Sequence, residues 1–325
     1  MKKAYAVFRH LSDDNKRHMR EVAEECGFEM EFFDTDEEAA GKVSDGEVIY
    51  CENGSLLGSM PGLRWCHSAF AGVGPFIESG VFDGGKAVLT NSSGSYGLVI
   101  SEYVIMAAIM LMKRMPEYLE IMGRREWIQN LGIRSVARSS VAIVGTGDIG
   151  RNSAMRFKAL GASRVVGFNR SGRVPESARD FFDEVFRIDQ YEEVMGLEEF
   201  DLLLLCVPGT PETEGLLSRE RIALLSEKTC IINVGRGIVV DQDALIDALN
   251  EGRIAGAAVD VVYPEPLPKD HPLWSAKNCI VTPHISGDMG LPYTVDLTVD
   301  IFCENLRRLA RGEELTHVVD VSAGY

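Results

Sequence analysis

Arg236, Glu265 and His284 are the residues whose types and settings most directly allow chemistry. They lie in NVGRG (233–237), DVVYPEP (260–266) and VTPHISG (281–287), and each string closes an apolar run: KTCIINV, IAGAAVDVV and NCIVTPHI. In an open parallel α/β sheet, the loops at the carboxyl ends of the strands surround the ligand crevice. Three successive strand ends therefore bring a guanidinium, a carboxylate and an imidazole to one wall. The planar, permanently charged Arg236 fork suits a carboxylate and can polarise a ketone oxygen. His284 can pass a proton, and a neighbouring Glu265 carboxylate favours its imidazolium form. Together they can hold an anionic carbonyl compound and protonate it. Taken singly, each has a plainer reading: a buried ion-paired Arg, a surface Glu, a His hydrogen-bonded within a core.

Such a site needs an electron source, and a glycine-rich turn offers one. Gly145-Thr146-Gly147-Asp148-Ile149-Gly150 follows the strand-like SSVAIV and opens the helical RNSAMRFKAL. Gly145 allows the tight turn, Gly147 lets the backbone approach a pyrophosphate at the helix N-terminus, and Gly150 lets helix and strand pack closely. The next strand, RVVGF (164–168), ends at Asn169 where an NAD site usually carries an acid, and Arg170, Ser171 and Arg173 follow. A carboxylate there would repel a 2′-phosphate, whereas neutral Asn169 tolerates one and Arg170 can pair with it. This predicts NADP, with NAD as the alternative and a solvated turn as the plain reading. CVPGTPETEGLL (206–217) supplies Val207, Pro208 and Thr213 as a segment lying over the adenosine or the nicotinamide ribose. Val234, Gly235 and Gly287, in the strand-end loops, complete the expected cofactor contacts. Asp260 either bonds the nicotinamide carboxamide or caps a loop. For the substrate, the backbone N–H groups from Ala71 to Gly74, with Gly72 and Val73 between, add an anion holder to Arg236 and His284, because glycines permit close approach.

The elements that must position these residues alternate along the whole chain. Short strands are predicted at 3–8, 29–33, 46–51, 64–69 and 87–91, with polar helical stretches between several of them, which indicates a flavodoxin-like unit. A second series runs through 139–145, 164–168, 184–188, 201–207, 229–234, 255–261 and 278–282. Near-continuous apolar strands of this kind are buried on both faces, as in parallel sheets. The last of the long helical stretches, VDLTVDIFCENLRRLARGEEL, is amphipathic and stops at Gly312. We therefore expect an α/β protein of two Rossmann/flavodoxin-like domains. A discontinuous substrate domain (1–100 and 290–325) would carry an inserted dinucleotide-binding domain (101–289).

Composition sets outer limits. With 325 residues, 46% of them apolar and 25% charged, the chain is ordinary globular sequence with room for two domains. A net charge of −16 with no basic stripe argues against a nucleic-acid partner. The seven cysteines show no CxxC spacing, so neither a disulfide framework nor a metal is called for, and a reducing cytoplasm is expected. MKKAYAVF lacks the apolar stretch of a signal peptide. Val99–Met112, with Glu102 inside it, falls short of the roughly 20 residues a membrane span needs. The stretch from Met115 to Asn130 stands outside the strand pattern and suggests a dimer arm. Tyr96, Phe70, Phe76 and Met289 are candidates for substrate selectivity, although each aromatic judged singly reads as core.

Read together, these strings resemble the D-isomer-specific 2-hydroxyacid dehydrogenases along nearly the whole chain. The resemblance is carried by AGVGP (71–75), the Ser101–Glu102 pair, GTGDIG, CVPGTPET, NVGRG, DVVYPEPLP, TPHISG and NLRRLARGEEL. It implies the two-domain fold above, a homodimer, and an Arg–Glu–His active site matching Arg236, Glu265 and His284. It also implies the reaction: hydride moves between NAD(P)H and the C2 carbonyl of a small 2-oxo acid, giving a D-2-hydroxy acid. Asn169-Arg170 in place of an acid is similar to the NADP-preferring glyoxylate/hydroxypyruvate reductases of the family. Two other readings share the scaffold. In formate dehydrogenase the His partner is typically Gln, which Glu265 counts against. Nucleotide-sensing corepressors share the fold and even the trio.

Overall fold

The computed structural model describes residues 1–287 and 290–322, so Met289 lies outside the described residues. The chain forms two compact units, Met1–Tyr96 with Asp288–Tyr325, and Gly97–Gly287. The divisions fall slightly before the expected positions at 100/101 and 289/290. The reason is packing: the helix Gly97–Met112 lies against the helix Asp148–Ala159 and against strands of the second unit, so it cannot be cut near its start.

The first unit is built on five parallel strands, β1 (Lys2–Val7), β2 (Phe28–Phe33), β3 (Gly46–Cys51), β4 (Trp65–Ser68) and β5 (Val88–Thr90), in the order β2-β1-β3-β4-β5. This is the flavodoxin-like order. β4 is buried at every position, as expected of a strand covered on both faces. One cover is the C-terminal helix Pro292–Arg311, which opens with Pro at its first turn and stops at Gly312 in a left-handed conformation (φ 69°). Val295, Val299, Phe302, Cys303 and Leu306 form its buried stripe. Phe302 stacks on Trp65 with ring centroids 4.9 Å apart, and Tyr50 donates its hydroxyl hydrogen to Thr298 Oγ1 at 2.7 Å. The chain's last helix thus completes the core begun by its first strands.

His67, on β4, is fully buried in this core. Burial, helped by the nearby His317, pushes its imidazole down to about 3. An unfolded histidine takes up its proton near pH 6.5. Between those values the unfolded chain binds a proton that the folded chain does not, so this contribution to stability is complete above about pH 6.5 and is lost as the pH falls toward 3, at about 1.4 kcal/mol per pH unit. Unfolding monitored at a series of pH values should show this slope in the wild type and a shallower one in His67→Gln. Parallel slopes would contradict it.

The second unit carries seven parallel strands: β6 (Ser140–Val144), β7 (Arg164–Asn169), β8 (Glu184–Arg187), β9 (Leu202–Leu205), β10 (Cys230–Asn233), β11 (Gly256–Val259) and β12 (Cys279–Val281). Their order, β12-β11-β10-β9-β6-β7-β8, reverses direction between β6 and β9. In a doubly wound sheet that reversal opens the crevice where a dinucleotide lies. β9, β10 and β11 are buried throughout, and one face of them (Leu203, Leu205, Ile231, Ala257 and Val259) joins a core with Phe168, Tyr191, Leu245 and Leu249. Among the described residues, no helix is long and apolar enough to cross a membrane. All seven cysteines are free thiols.

Candidate active site

β10, β11 and β12 lie side by side in the second unit, with Cys230 opposite Gly256 and Ala257 opposite Cys279. Their C-terminal loops therefore leave the sheet together. Asn233, the last residue of β10, turns its amide back on its own loop: Oδ1 accepts the Gly235 N–H and Nδ2 donates to the Arg236 carbonyl, each at 3.1 Å. Gly237 lets this loop close against the next, since a Cβ there would lie 2.1 Å from the Val262 carbonyl carbon. Arg236 is held between these contacts in extended backbone.

The Arg236 guanidinium is half-buried, and among the described residues its one hydrogen bond runs from Nη1 to the Gly235 carbonyl at 2.7 Å. It forms no ion pair in the described structure. Burial lowers its pKa from the usual arginine value, while the Glu265 carboxylate acts in the opposite direction. Withdrawing a cation from water without a paired anion is costly. The remaining Arg236 guanidinium donors meet no acceptor among the described residues.

Glu265 bridges two loops. Its Oε1 accepts the Val262 N–H at 3.0 Å, and its Oε2 meets His284 Nδ1 at 3.0 Å. The imidazole is half exposed, and Nδ1 is committed to Glu265, so Nε2 is the edge left for a ligand. His284 itself sits in a left-handed backbone conformation (φ 55°). What holds it there is Asp260, buried at the end of β11. Asp260 O accepts the His284 N–H at 2.8 Å, Oδ1 accepts Thr282 Oγ1–H at 2.6 Å and Ile285 N–H at 2.9 Å, and Oδ2 accepts Ser286 N–H at 2.9 Å. Tyr103, on the helix Gly97–Met112, donates in turn to Thr282 Oγ1 at 2.6 Å. Of the two roles expected for Asp260, the geometry displays the loop-holding one. Tyr103 and Thr282 had no sequence signal beyond an apolar helix and a strand-end threonine.

At the β6–β9 reversal, Gly145 has φ 104° and Gly147 caps the helix Asp148–Ala159. A Cβ on Gly150 would lie 1.9 Å from the Gly145 carbonyl oxygen, whereas one on Gly147 would meet nothing within 4 Å. The turn is therefore closed on its inner side and open where a pyrophosphate would approach the helix N-terminus. The Asp148 carboxylate is committed to Asn152 and Arg151, and burial raises its pKa. That leaves Asp148 and Ile149 their backbone N–H groups for a ligand.

Asn169 is likewise committed. Its Nδ2 donates to Thr146 Oγ1 at 2.6 Å and to the Arg173 carbonyl at 2.7 Å, and its Oδ1 accepts from Ser171 N and Gly172 N. The side chain thus shapes the 169–173 turn on which Arg170 is displayed, and no acid ends β7. Glu212, across the 206–217 loop, is held in its ionised form by Thr210 and its own backbone, with a contribution from the Arg170 charge. Thr213 Oγ1 accepts the Thr210 N–H and donates to the Pro208 carbonyl, fixing that loop from within. Val207 is half-buried, Pro208 is exposed, and Val234 and Gly235 are buried beside β10. These residues fit a dinucleotide: an open glycine turn at a helix N-terminus, flanked by a basic turn.

Gly72, Val73 and Gly74 belong to the first unit, directly after β4. The N–H groups of Ala71, Gly72, Val73 and Gly74 donate to no acceptor among the described residues. Phe76 is fully buried in that unit's core, so it lines no pocket.

Residues 105–286 match the family described as D-isomer specific 2-hydroxyacid dehydrogenase, NAD binding domain. The chain is 28% identical over 291 residues to a glyoxylate/hydroxypyruvate reductase A of Photorhabdus laumondii, which covers 87% of this chain and 88% of that one. A D-isomer specific 2-hydroxyacid dehydrogenase family protein from Aeromonas salmonicida has a similar structure, with a TM-score of 0.83 at 28% identity over 98% of this chain and 99% of that one. An NADPH-dependent glyoxylate/hydroxypyruvate reductase from Sinorhizobium meliloti, solved with NADP and sulfate, shares the fold at a TM-score of 0.81 and 24% identity, with 100% of each chain covered. The family match spans more than half of the chain and includes the loops that carry Arg236, Glu265 and His284. This chain belongs to the D-isomer specific 2-hydroxyacid dehydrogenase family.

Proposed function

We propose that the protein reduces the C2 carbonyl of a small 2-oxo acid to the D-2-hydroxy acid, with NADPH as the preferred reductant and NADH as the alternative. The observation that carries this reading is the half-buried Arg236 guanidinium, which has no ion-pair partner among the described residues and lies within electrostatic reach of a Glu265–His284 pair. The similarity to glyoxylate/hydroxypyruvate reductases makes glyoxylate and hydroxypyruvate the first substrates to try.

Bound along the GTGDIG turn, the dinucleotide supplies hydride to the carbonyl carbon. The chain's residues do the rest. Arg236 anchors the substrate carboxylate and polarises the ketone oxygen. In the first unit, the N–H groups from Ala71 to Gly74 are suited to a carboxylate. His284 donates its Nε2 proton to the carbonyl oxygen, while Glu265 fixes the ring through Nδ1 and stabilises the imidazolium. In the oxidative direction the neutral ring accepts the same proton.

The cofactor choice rests on the missing acid at the end of β7 and on Arg170. In steady-state assays with a panel of 2-oxo acids, kcat/KM for NADPH should exceed that for NADH by about tenfold or more, as one charge-assisted phosphate contact allows. Preference for NADH would overturn this part of the reading, and no turnover with any 2-oxo acid would overturn all of it.

We also propose a homodimer built on the second unit. Met106 and Ile109 on the helix Gly97–Met112, Leu119 and Met122 on the helix Met115–Gly123, and Trp127 and Ile128 beyond it are all exposed, Trp127 by 92%. So many exposed large apolar side chains along one stretch of chain suit an interaction face. Replacing Met122 and Trp127 together with Asp should shift the mass in light scattering from two chains to one; an unchanged mass would contradict the assignment. Seven free thiols suit a reducing compartment, and we place the enzyme in the cytoplasm, with no nucleic-acid partner.

A further inference from the structure

Four consecutive carbonyls in the first unit, those of Ser68, Ala69, Phe70 and Ala71, are each taken by a donor from one short segment, residues 91–96. Ser92 Oγ donates to Ser68 O at 2.8 Å, Tyr96 OH to Ala69 O at 2.9 Å, Ser92 N to Phe70 O at 3.2 Å, and Asn91 Nδ2 to Ala71 O at 2.9 Å. In a trans peptide unit the carbonyl and the following N–H point to opposite sides. Holding the carbonyls of Phe70 and Ala71 against the 91–96 segment therefore turns the N–H groups of Ala71 and Gly72 away from it. Val73 O, held by the N–H groups of Phe76 and Ile77, turns the Gly74 N–H in the same manner. None of these outward N–H groups has an acceptor among the described residues.

The segment that holds the carbonyls is itself fixed, proton by proton. Ser92 Oγ gives its hydrogen to Ser68 O, so it must accept from His67 Nε2, 3.1 Å away. His67 is then protonated on Nε2, and its Nδ1 accepts from Thr90 Oγ1 at 2.7 Å. Thr90 Oγ1 in turn accepts from Trp65 Nε1 at 2.8 Å. Trp65, His67, Ser68, Thr90 and Ser92 are fully buried, which makes an unmatched donor or acceptor among them expensive. The chain from Trp65 to Ser68 has none. On the far side, Asn91 N donates to His317 O and Val319 N to Leu89 O, tying the segment to the chain's C-terminal stretch.

We propose that Asn91 and Ser92, which hold the carbonyls of Ala71 and Phe70, aim the Gly72 and Ala71 N–H groups at a carboxylate, while Tyr96 and the His67-fixed Ser92 hydroxyl anchor the start of the loop at Ala69 and Ser68; all four are positioning residues. None of the four is required to touch substrate. This rests on the reading that the Ala71–Gly74 loop holds that carboxylate. Tyr96→Phe removes one donor with little change of volume, and Asn91→Ala removes another at the edge of the loop.

Two readouts on the full-length protein test it: steady-state KM for glyoxylate, and calorimetric Kd for oxalate, a dicarboxylate with no ketone to reduce. Each variant should raise both by about five- to tenfold, the worth of one lost hydrogen bond, with Kd for NADPH unchanged. Values within twofold of wild type in both variants would overturn the proposal. So would a parallel loss of NADPH affinity, which would report general loosening, or a wild-type protein that binds no oxalate. If wild type binds oxalate but reduces no 2-oxo acid, the proposed reaction fails while the oxalate affinities of the variants still decide for or against the clamp.

Discussion

His284→Asn is expected to lower kcat by about 10²–10⁴-fold while NADPH binds as in wild type. Asparagine is the informative replacement because His284 stands at φ 55°, a conformation asparagine adopts readily and alanine does not. The Asp260 contacts that hold the loop run through backbone N–H groups of residues 284, 285 and 286, and so survive the change. What is lost is the ring whose Nδ1 lies 3.0 Å from Glu265 Oε2 and whose Nε2 is left to the substrate. Stopped-flow rates for NADPH oxidation by glyoxylate or hydroxypyruvate check the prediction. A variant turning over within tenfold of wild type would remove His284 as proton donor.

Arg236→Ala should reduce kcat/KM for 2-oxo acids by about 10³-fold, through both KM and kcat, because one guanidinium anchors the carboxylate and polarises the ketone oxygen. Its effect on stability separates function from structure. Removing one member of a buried ion pair costs about 3–5 kcal/mol, because the other charge is stranded. Among the described residues Arg236 has no such partner and makes a single hydrogen bond, to its neighbour's carbonyl. The melting temperature of Arg236→Ala should therefore match or exceed that of wild type while activity collapses. A large drop in melting temperature with KM unchanged would reassign Arg236 to the scaffold. Arg236→Lys should recover only part of the loss, since an ammonium is a point charge without the fork.

The central strands were legible because they are buried on both faces. Runs such as LLLLCV and TCIINV admit little else, and β9 and β10 lie within them. The strand-end position of the candidate trio was legible for a related reason: polar residues directly after such runs fall at carboxyl strand ends, where a doubly wound sheet gathers its ligands. The roles of supporting side chains were not legible. Tyr103 reaches Thr282 across 179 residues of sequence, and nothing in an apolar helix marks which hydroxyl will face β12. Asp148 and Thr213 sit in motifs that suggest cofactor contact, yet the first turns its carboxylate to Arg151 and Asn152, and the second closes its own loop. Those outcomes depend on angles that residue type does not encode. Asn169 shows the intermediate case: its neutrality could be read from the sequence, but not the hydrogen bonds to Ser171, Gly172 and Arg173 by which it builds the Arg170 turn.

The most direct test of the central claim is a single turnover in which NADPH-loaded enzyme meets excess glyoxylate or hydroxypyruvate, with nicotinamide absorbance followed in time and the hydroxypyruvate product resolved by chirality. We expect one NADPH oxidised per hydroxy acid formed, and the hydroxypyruvate product to be the D isomer alone. An L product would contradict the proposed D-2-hydroxy acid, and an absorbance that stays flat with both acids would contradict the proposed reaction.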